Sequence, residues 1–173
     1  MKKLLVIIFI FLPFQVNSEI VKLTCTPDTK WENIYRNNEK IWFTFLKPKM
    51  HIHLDKGNLK VLKLGFSKDK NDLNDVDLIV EKINANNRTE FRFLKSGLVS
   101  NDGIFNQITI FDGAVIYGFF LEQYRFTEKQ STNIISQMNS DSYSGFENAI
   151  KKYGSDNNEY ISPFGGMSGF CEQ

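Results

Sequence analysis

The sequence predicts a mainly β (β-rich α+β) domain, in which an antiparallel sheet curls into a calycin-like barrel or a small sandwich, with one or two C-terminal helices. Three observations support this prediction. Short runs of β-branched and aromatic residues alternate with polar residues along most of the chain. Turn signals rich in Gly, Asn and Asp separate these runs. The two predicted helices both follow the last run, which is typical of domains whose strands and helices are segregated.

The alternating runs predict the strands in chain order. They lie at residues 19–24, 41–45, 50–55, 62–66, 76–83, 89–95, 104–111 and 114–126. The segment 76–83 also fits a helical stripe, but its β-branched residues favour a strand. The strongest hairpin signal is Asp112-Gly113, between the last two runs. Residues 26–29 predict the cap of a short helical turn between the first two runs.

Two helices are predicted after the strands. Residues 127–130 fit a capping box, and the apolar spacing that follows predicts a helix to about residue 139. A second helix is expected over residues 143–153, ending at Gly154. The Gly-rich segment 162–171 is predicted to be a flexible or sharply turning tail.

Residues 1–18 have the pattern of a cleavable signal peptide. Lys2 and Lys3 precede an apolar run at residues 4–14, and Val16-Asn17-Ser18 fits the peptidase pocket, which predicts cleavage before Glu19. The alternative is a membrane anchor. Eleven helical residues rise only about 16 Å, however, against a hydrocarbon core of roughly 30 Å. We therefore expect residues 19–173 to form one exported domain, periplasmic or extracellular, with no membrane span.

The charge balance of that domain argues against nucleic acid as a partner. Without residues 1–18 the chain has 19 basic and 20 acidic residues, so it lacks the excess of positive charge that phosphate backbones attract.

The two cysteines predict a disulfide. Cys25 and Cys171 lie near the two ends of the expected domain, and an exported chain folds in an oxidising compartment. Closing a loop of nearly the whole domain stabilises it by about 5 kcal/mol in the chain-entropy model. The alternative is a pair of buried free thiols.

The candidate metal site is the string His51-Ile52-His53-Leu54-Asp55, which contains both histidines of the chain. On a strand, His51, His53 and Asp55 project from one face and could ligate Zn²⁺ or Fe²⁺. The string resembles the His-x-His-x-Asp-His start of metallo-β-lactamase-type hydrolases, but Lys56 stands where the last His belongs. We favour the simpler interpretation, a polar solvent face opposite an apolar one.

Aromatic residues suggest a second kind of site. Most must belong to the core, but a barrel lined with them can leave an apolar cavity for a small ligand. The candidate lining residues are Trp42, Phe91, Phe93 and Phe119.

The motifs that identify common enzymes are missing from the sequence. It contains no Gly-x-Ser-x-Gly elbow, Walker lysine loop, dinucleotide fingerprint or His-Glu-x-x-His helix, and no cofactor is expected. The leading hypothesis is an exported, non-enzymatic binding or interaction protein, whose partner is a small apolar ligand or an envelope protein. The alternatives are a metal-dependent hydrolase that uses His51, His53 and Asp55, and a structural envelope component.

Overall fold

A computed structural model describes residues 18–28, 49–67, 69–85, 87–97, 103–113, 115–163 and 165–173. Its strands form one closed antiparallel barrel, in which each strand pairs with the next and the last returns to the first. The strands are β1 (Ile20–Pro27), β2 (Lys49–Asp55), β3 (Lys60–Ser67), β4 (Asn74–Ala85), β5 (Arg88–Gly97), β6 (Ile104–Asp112), β7 (Tyr117–Arg125) and β8 (Gly165–Glu172). The mainly β prediction and its barrel form are confirmed.

Alternate side chains of every strand fill the barrel. An eight-stranded barrel is just wide enough for side chains to occupy its interior. The buried residues of this interior cluster are Val21, Leu23, Cys25, Met50, Ile52, Leu54, Val61, Leu64, Val80, Phe91, Phe93, Ile108, Ile110, Phe119, Leu121, Met167 and Cys171. The period-two alternation in the sequence therefore corresponds to the inner and outer faces of the strands.

A disulfide joins the first strand to the last. β1 pairs with β8 so that Cys25 lies directly opposite Cys171, and the two residues are bonded. The bond links positions 146 residues apart, at the seam where the barrel closes. The predicted pairing of the cysteines is seen in the structure.

Two helices connect β7 to β8. Helix α1 spans Glu128–Gln137 and begins at the predicted capping box, in which Thr127 and Gln130 bond each other's backbone. Helix α2 spans Tyr143–Asn157. Both pack on the outer face of the barrel, where Phe146 of α2 stacks on Phe105 of β6 at 5.0 Å between ring centroids.

The predicted end of the second helix is wrong. α2 continues past Gly154 to Asn157 and is capped by Asn158, which adopts the left-handed conformation with φ 52°. Asn tolerates this conformation better than most residues, so it serves as the cap that the sequence analysis assigned to glycine. Gly154 instead accepts a backbone hydrogen bond from Glu159 at 2.8 Å.

The Gly-rich segment is also different from the prediction. Residues 165–172 form β8 rather than a turning tail. Glycines have no side chain to alternate, so the strand left no periodic signal. At Gly169, a Cβ would collide with the backbone carbonyl of Thr26 on β1, so only glycine permits the close approach of the two strands there.

Some of the remaining predictions concern described residues, and others concern residues outside the described ranges. The ambiguous segment 76–83 is a strand, as favoured. β1 continues to Pro27, so the helical cap predicted from residue 26 begins inside a strand. Residues 29–48, which include the part of that turn after Asp28, the strand predicted at 41–45 and Trp42, lie outside the described residues, as do residues 1–17. Neither α1 nor α2 is long and apolar enough to cross a bilayer.

Candidate functional site

Two lysines flank a histidine on the outer face of three neighbouring strands. In the pairing of β1 with β2, Lys22 lies opposite His53, and in the pairing of β2 with β3, His53 lies opposite Lys63. Their chain neighbours Leu23 and Ile52 point into the core, so the three polar side chains project outward. Directly opposed residues in a sheet have Cβ atoms about 5 Å apart. This lysine-histidine row gathers positive charge in a small area.

The next row along the same face is Thr24, His51 and Gly65. His51 is only 3% exposed, and its Nε2 donates a hydrogen bond to the backbone carbonyl of Ser67 at 3.2 Å. Its Nδ1 pairs with the Thr24 hydroxyl at 3.2 Å. Both ring nitrogens are therefore engaged, and His51 forms a wall of the site rather than an open ligand.

Gly65 lets the loop between β3 and β4 approach this face. A Cβ at position 65 would collide with the carbonyl oxygen of Asp72, so the loop backbone occupies the space of a side chain. Within the loop, the Asp69 carboxylate accepts a hydrogen bond from the backbone of Asn71 at 2.9 Å. The arrangement places Lys70 at the edge of the site, beside the lysine-histidine row.

These elements enclose a cleft of about 550 Å³. We call it the cationic cleft. Its lining residues are Lys22, Leu23, Thr24, His51, His53, Lys63, Lys70, Asn71, Leu73 and Gln173. A volume of this size lies within the usual range for small-molecule sites.

Positive charge is only partly compensated in the cationic cleft. Lys63 pairs with Asp75 at 3.0 Å. Among the described residues, Lys22 and Lys70 have no ion-pair partner. Where Gln173 carries a free carboxylate, that group offsets one lysine and still leaves an excess of positive charge.

The electrostatics of His53 reflect this excess. Burial lowers the pKa of His53, and the nearby charges of Lys22 and Lys63 lower it further. The neutral imidazole is therefore favoured in the free protein, because burial and the neighbouring charges of Lys22 and Lys63 oppose its protonation. An anion that enters the cleft reverses this effect and favours the protonated ring.

The structure does not assemble the predicted metal site. The Asp55 carboxylate turns into the β2–β3 turn, where it accepts hydrogen bonds from the backbone of Gly57 and Asn58 and from the side chains of Asn58 and Ser18. These bonds lower the pKa of Asp55, most strongly through the Asn58 backbone. Across the described part of the chain, no three His, Cys, Asp or Glu side chains are grouped closely enough to hold a metal ion.

Three of the four predicted apolar-cavity residues lie in the packed interior, and the fourth, Trp42, lies outside the described residues. Phe91, Phe93 and Phe119 are each at most 1% exposed and belong to the interior cluster. Their side chains contact other core residues there, which is the arrangement of a filled barrel.

Sequence reasoning missed the lysines of the cationic cleft. Alternation places Lys22 on the same face of β1 as Thr24, and His53 on the same face of β2 as His51. Alternation does not say which residue of β1 lies opposite which residue of β2. That register is set by the turn between paired strands, and no short turn sequence joins β1 to β2.

Comparison with known proteins gave no relative: no family model, no curated protein and no solved structure matches this chain. The fold and site define a closed, disulfide-linked antiparallel barrel with a cationic cleft on its outer face. A barrel of this kind hosts many unrelated functions, so the functional argument depends on the cleft alone.

Proposed function

We propose that this protein is an exported, non-enzymatic binding protein whose ligand carries a phosphate or carboxylate group and binds in the cationic cleft. The observation that carries the proposal is the row Lys22, His53 and Lys63 across β1, β2 and β3. Lys22 and Lys63 flank His53 closely enough that their charges repel its protonated form. A bound oxyanion would compensate these positive charges, so the row suits an anionic ligand.

The packed interior supports a site on the outside of the barrel. Barrels that bind apolar ligands hold them inside, where an open cavity is required. Here the interior positions that the sequence suggested for such a cavity, Phe91, Phe93 and Phe119, are buried in the core cluster. The cationic cleft is polar and open to solvent. We therefore propose an anionic ligand instead of the small apolar ligand that the sequence suggested.

Export is supported by two independent features. Residues 1–18 have the charge, length and side-chain pattern of a cleavable signal peptide. The disulfide between Cys25 and Cys171 is of a kind that persists in oxidising compartments such as the periplasm or the cell exterior. Mass spectrometry of the protein recovered from its host tests both the cleavage of residues 1–18 and the formation of the disulfide. We expect Glu19 at the N-terminus and no free thiol, whereas an intact Met1 or two free thiols contradicts export.

The cleft binds an anion through charge and hydrogen bonds. Lys22 and Lys70 each present three N–H donors, and a charge-assisted hydrogen bond is roughly twice as strong as a neutral one. His53 donates one N–H when neutral and two when protonated. Because a bound anion favours the protonated ring, we expect acetate, which stays ionised across this range, to bind more tightly at about pH 6 than at about pH 8.

Calorimetric titration with inorganic phosphate and with acetate tests the proposal at low ionic strength. The variant K22Q/K70Q removes the two lysines that lack ion-pair partners, and K129Q/K152Q removes two exposed lysines from α1 and α2 as a matched control. We expect K22Q/K70Q to weaken phosphate binding by about tenfold or more and the control to leave it unchanged. Absence of binding by the unmodified protein, or equal losses in both variants, contradicts the proposal.

A further inference from the structure

A second cleft lies between the C-terminal half of α2 and residues 159–161. Its volume is about 390 Å³, which lies within the usual range for small-molecule sites. We call it the acidic cleft. Its lining residues are Tyr124, Glu147, Ile150, Lys151, Gly154, Ser155, Glu159, Tyr160 and Ile161. None of these residues lines the cationic cleft, so the two clefts are separate sites.

The hydroxyl group of Tyr124 lies at the floor of the acidic cleft. Tyr124 is only 6% exposed, and its ring stacks on Phe126 and meets the ring of Phe146 edge-on, with 5.4 Å between the latter centroids. The ring is therefore fixed in the aromatic cluster, and the hydroxyl is the part that faces the cleft. Within the described part of the chain, no hydrogen bond involves this hydroxyl. Buried polar groups nearly always have a partner, so the unpaired hydroxyl indicates a ligand.

The walls of the acidic cleft carry an excess of negative charge. Two lining residues, Glu147 and Glu159, are acidic, and one, Lys151, is basic. The ion pair of Lys151 with Glu147 is 3.5 Å long and exposed, and pairs of this type contribute little. Glu159 accepts a hydrogen bond from the uncharged side chain of Gln130 at 3.0 Å, which does not neutralise its charge. The cleft therefore favours a cationic ligand.

The C-terminus of α2 adds to this preference. The last carbonyl groups of a helix carry a partial negative charge, which attracts cations. Gly154 and Ser155 lie in the last turn of α2 and line the cleft. That turn, which the structure describes in full, carries no basic residue. Burial raises the pKa of Tyr124, and the charges of Glu122 and Glu147 raise it further, which is consistent with a negative environment at the floor.

The two carboxylates of the acidic cleft begin at opposite ends of an apolar wall. Glu147 precedes Gly154 by two helical turns, which is about 10 Å along the helix axis. Glu159 is held beside Gly154 by a backbone hydrogen bond of 2.8 Å. The apolar lining residues are Ile150, Tyr160 and Ile161. Tyr160 is 85% exposed, and an open aromatic ring of this kind also attracts cations to its face.

We propose that the acidic cleft binds a linear aliphatic diamine or polyamine. One ammonium group pairs with Glu147 and donates a hydrogen bond to the hydroxyl oxygen of Tyr124. A second ammonium group pairs with Glu159, and the alkyl chain between them lies against Tyr160. A primary ammonium group has three N–H donors for these acceptors, whereas a quaternary ammonium group has none. This inference does not depend on the cationic cleft, because the two sites take ligands of opposite charge.

Calorimetric titration of the purified, disulfide-bonded protein with spermidine tests the inference at constant ionic strength. The variant E147Q/E159Q removes both carboxylates of the cleft. The matched control E128Q/D141N removes two exposed carboxylates, from α1 and from the connection between the helices. We expect E147Q/E159Q to weaken spermidine binding about tenfold or more and the control to leave it unchanged. Choline, whose ammonium group is quaternary, should bind the unmodified protein at least about tenfold more weakly than spermidine.

The variant Y124F separates a binding role of the hydroxyl from a structural one. It removes the hydroxyl and keeps the ring in the aromatic cluster. We expect the melting temperature to stay unchanged, because the hydroxyl has no described partner, and spermidine binding to weaken about fivefold. A lower melting temperature with unchanged affinity would mean a structural role and overturn the inference. Absence of spermidine binding by the unmodified protein, equal losses in E147Q/E159Q and E128Q/D141N, or equally tight binding of choline would also overturn it.

Discussion

The ammonium of Lys56 and the carboxylate of Asp112 form an ion pair at 2.8 Å across the end of the barrel that carries the β2–β3, β4–β5 and β6–β7 turns. Lys56 lies in the β2–β3 turn, whereas Asp112 ends β6 on the far side of the ring of strands. The ammonium also lies 5.9 Å from the centroid of the Tyr117 ring and 6.0 Å from that of Phe91. The pair therefore covers one end of the packed interior and joins strands that are not neighbours.

The first prediction concerns this ion pair. Both side chains are only 21% exposed, so K56M should lower the free energy of unfolding by about 1 to 2 kcal/mol, between the values for exposed and fully buried pairs. Urea unfolding at about pH 7 measures this change. The double variant K56M/D112N should have nearly the same free energy of unfolding as K56M alone, because each substitution removes the same ion pair. Additive losses contradict a direct coupling.

The same pair predicts a pH dependence. Burial tends to lower the pKa of Lys56, but the hydrogen bond to Asp112 and the charges of Tyr117 and Asp112 outweigh it and raise the pKa above its usual range. A raised lysine pKa stabilises the folded state fully below the unfolded value of about 10.4 and less as pH rises beyond it. The stability difference between the unmodified protein and K56M should therefore hold to about pH 9 and narrow above about pH 10.4. A difference that widens there contradicts the account.

The second prediction concerns the disulfide. The bond between Cys25 and Cys171 closes a separation of 146 residues, which corresponds to about 5 kcal/mol in the chain-entropy model. The variant C25S/C171S should therefore unfold at a much lower urea concentration than the oxidised protein. Reduction of the unmodified protein should give nearly the same midpoint. If reduction leaves the midpoint unchanged, the bond does not stabilise the seam of the barrel.

The third prediction contrasts two glycines on adjoining strands. A Cβ at Gly169 would meet the Thr26 carbonyl and the Phe119 ring, whereas at Gly118 the nearest atom, the Gly169 carbonyl oxygen, is 3.5 Å away. G169A should therefore destabilise the protein by about 1 to 3 kcal/mol, and G118A by much less. Thermal unfolding of both variants measures the contrast. Equal losses would mean that the β1–β8 approach is not as close as described.

The fourth prediction concerns a carboxyl group beneath α2. Burial raises the pKa of Glu122, and the charge of Glu147 raises it further. A raised carboxyl pKa means that the folded state disfavours the ionised form of Glu122. The contribution of Glu122 to the free energy of unfolding is therefore most favourable below the pKa of the unfolded chain, and it is lost as pH rises through the folded pKa. E122Q should raise the melting temperature at about pH 7 and have little effect at about pH 4. A lower melting temperature for E122Q at about pH 7 contradicts this environment.

Local patterns predicted most of the barrel strands. Met50, Ile52 and Leu54 alternate cleanly with polar residues, and all three lie in the core. The strand β4 was correctly preferred over a helix because its β-branched residues suit a pleated surface. β8 was missed because Gly165, Gly166 and Gly169 carry no hydrophobic pattern, and their role depends on close contact with another strand.

The candidate site was less accessible to sequence reasoning. The two histidines attracted attention as metal ligands, but what surrounds His53 is decided by the register of three strands. β1 and β2 are joined by a long connection, so no turn type fixes which residues face each other. Lys70 reaches the site only because Gly65 allows the loop to lie against β3. Neither relationship leaves a local trace in the sequence.

The most direct test of the cationic cleft is an NMR pH titration of the His53 ring, with and without millimolar phosphate at constant ionic strength. Burial and the charges of Lys22 and Lys63 hold the pKa of His53 below its usual range in the free protein. We expect phosphate to raise the pKa of His53, and K22Q/K70Q to abolish that rise while K129Q/K152Q preserves it. A pKa of His53 that does not change with phosphate would contradict anion binding in the cleft.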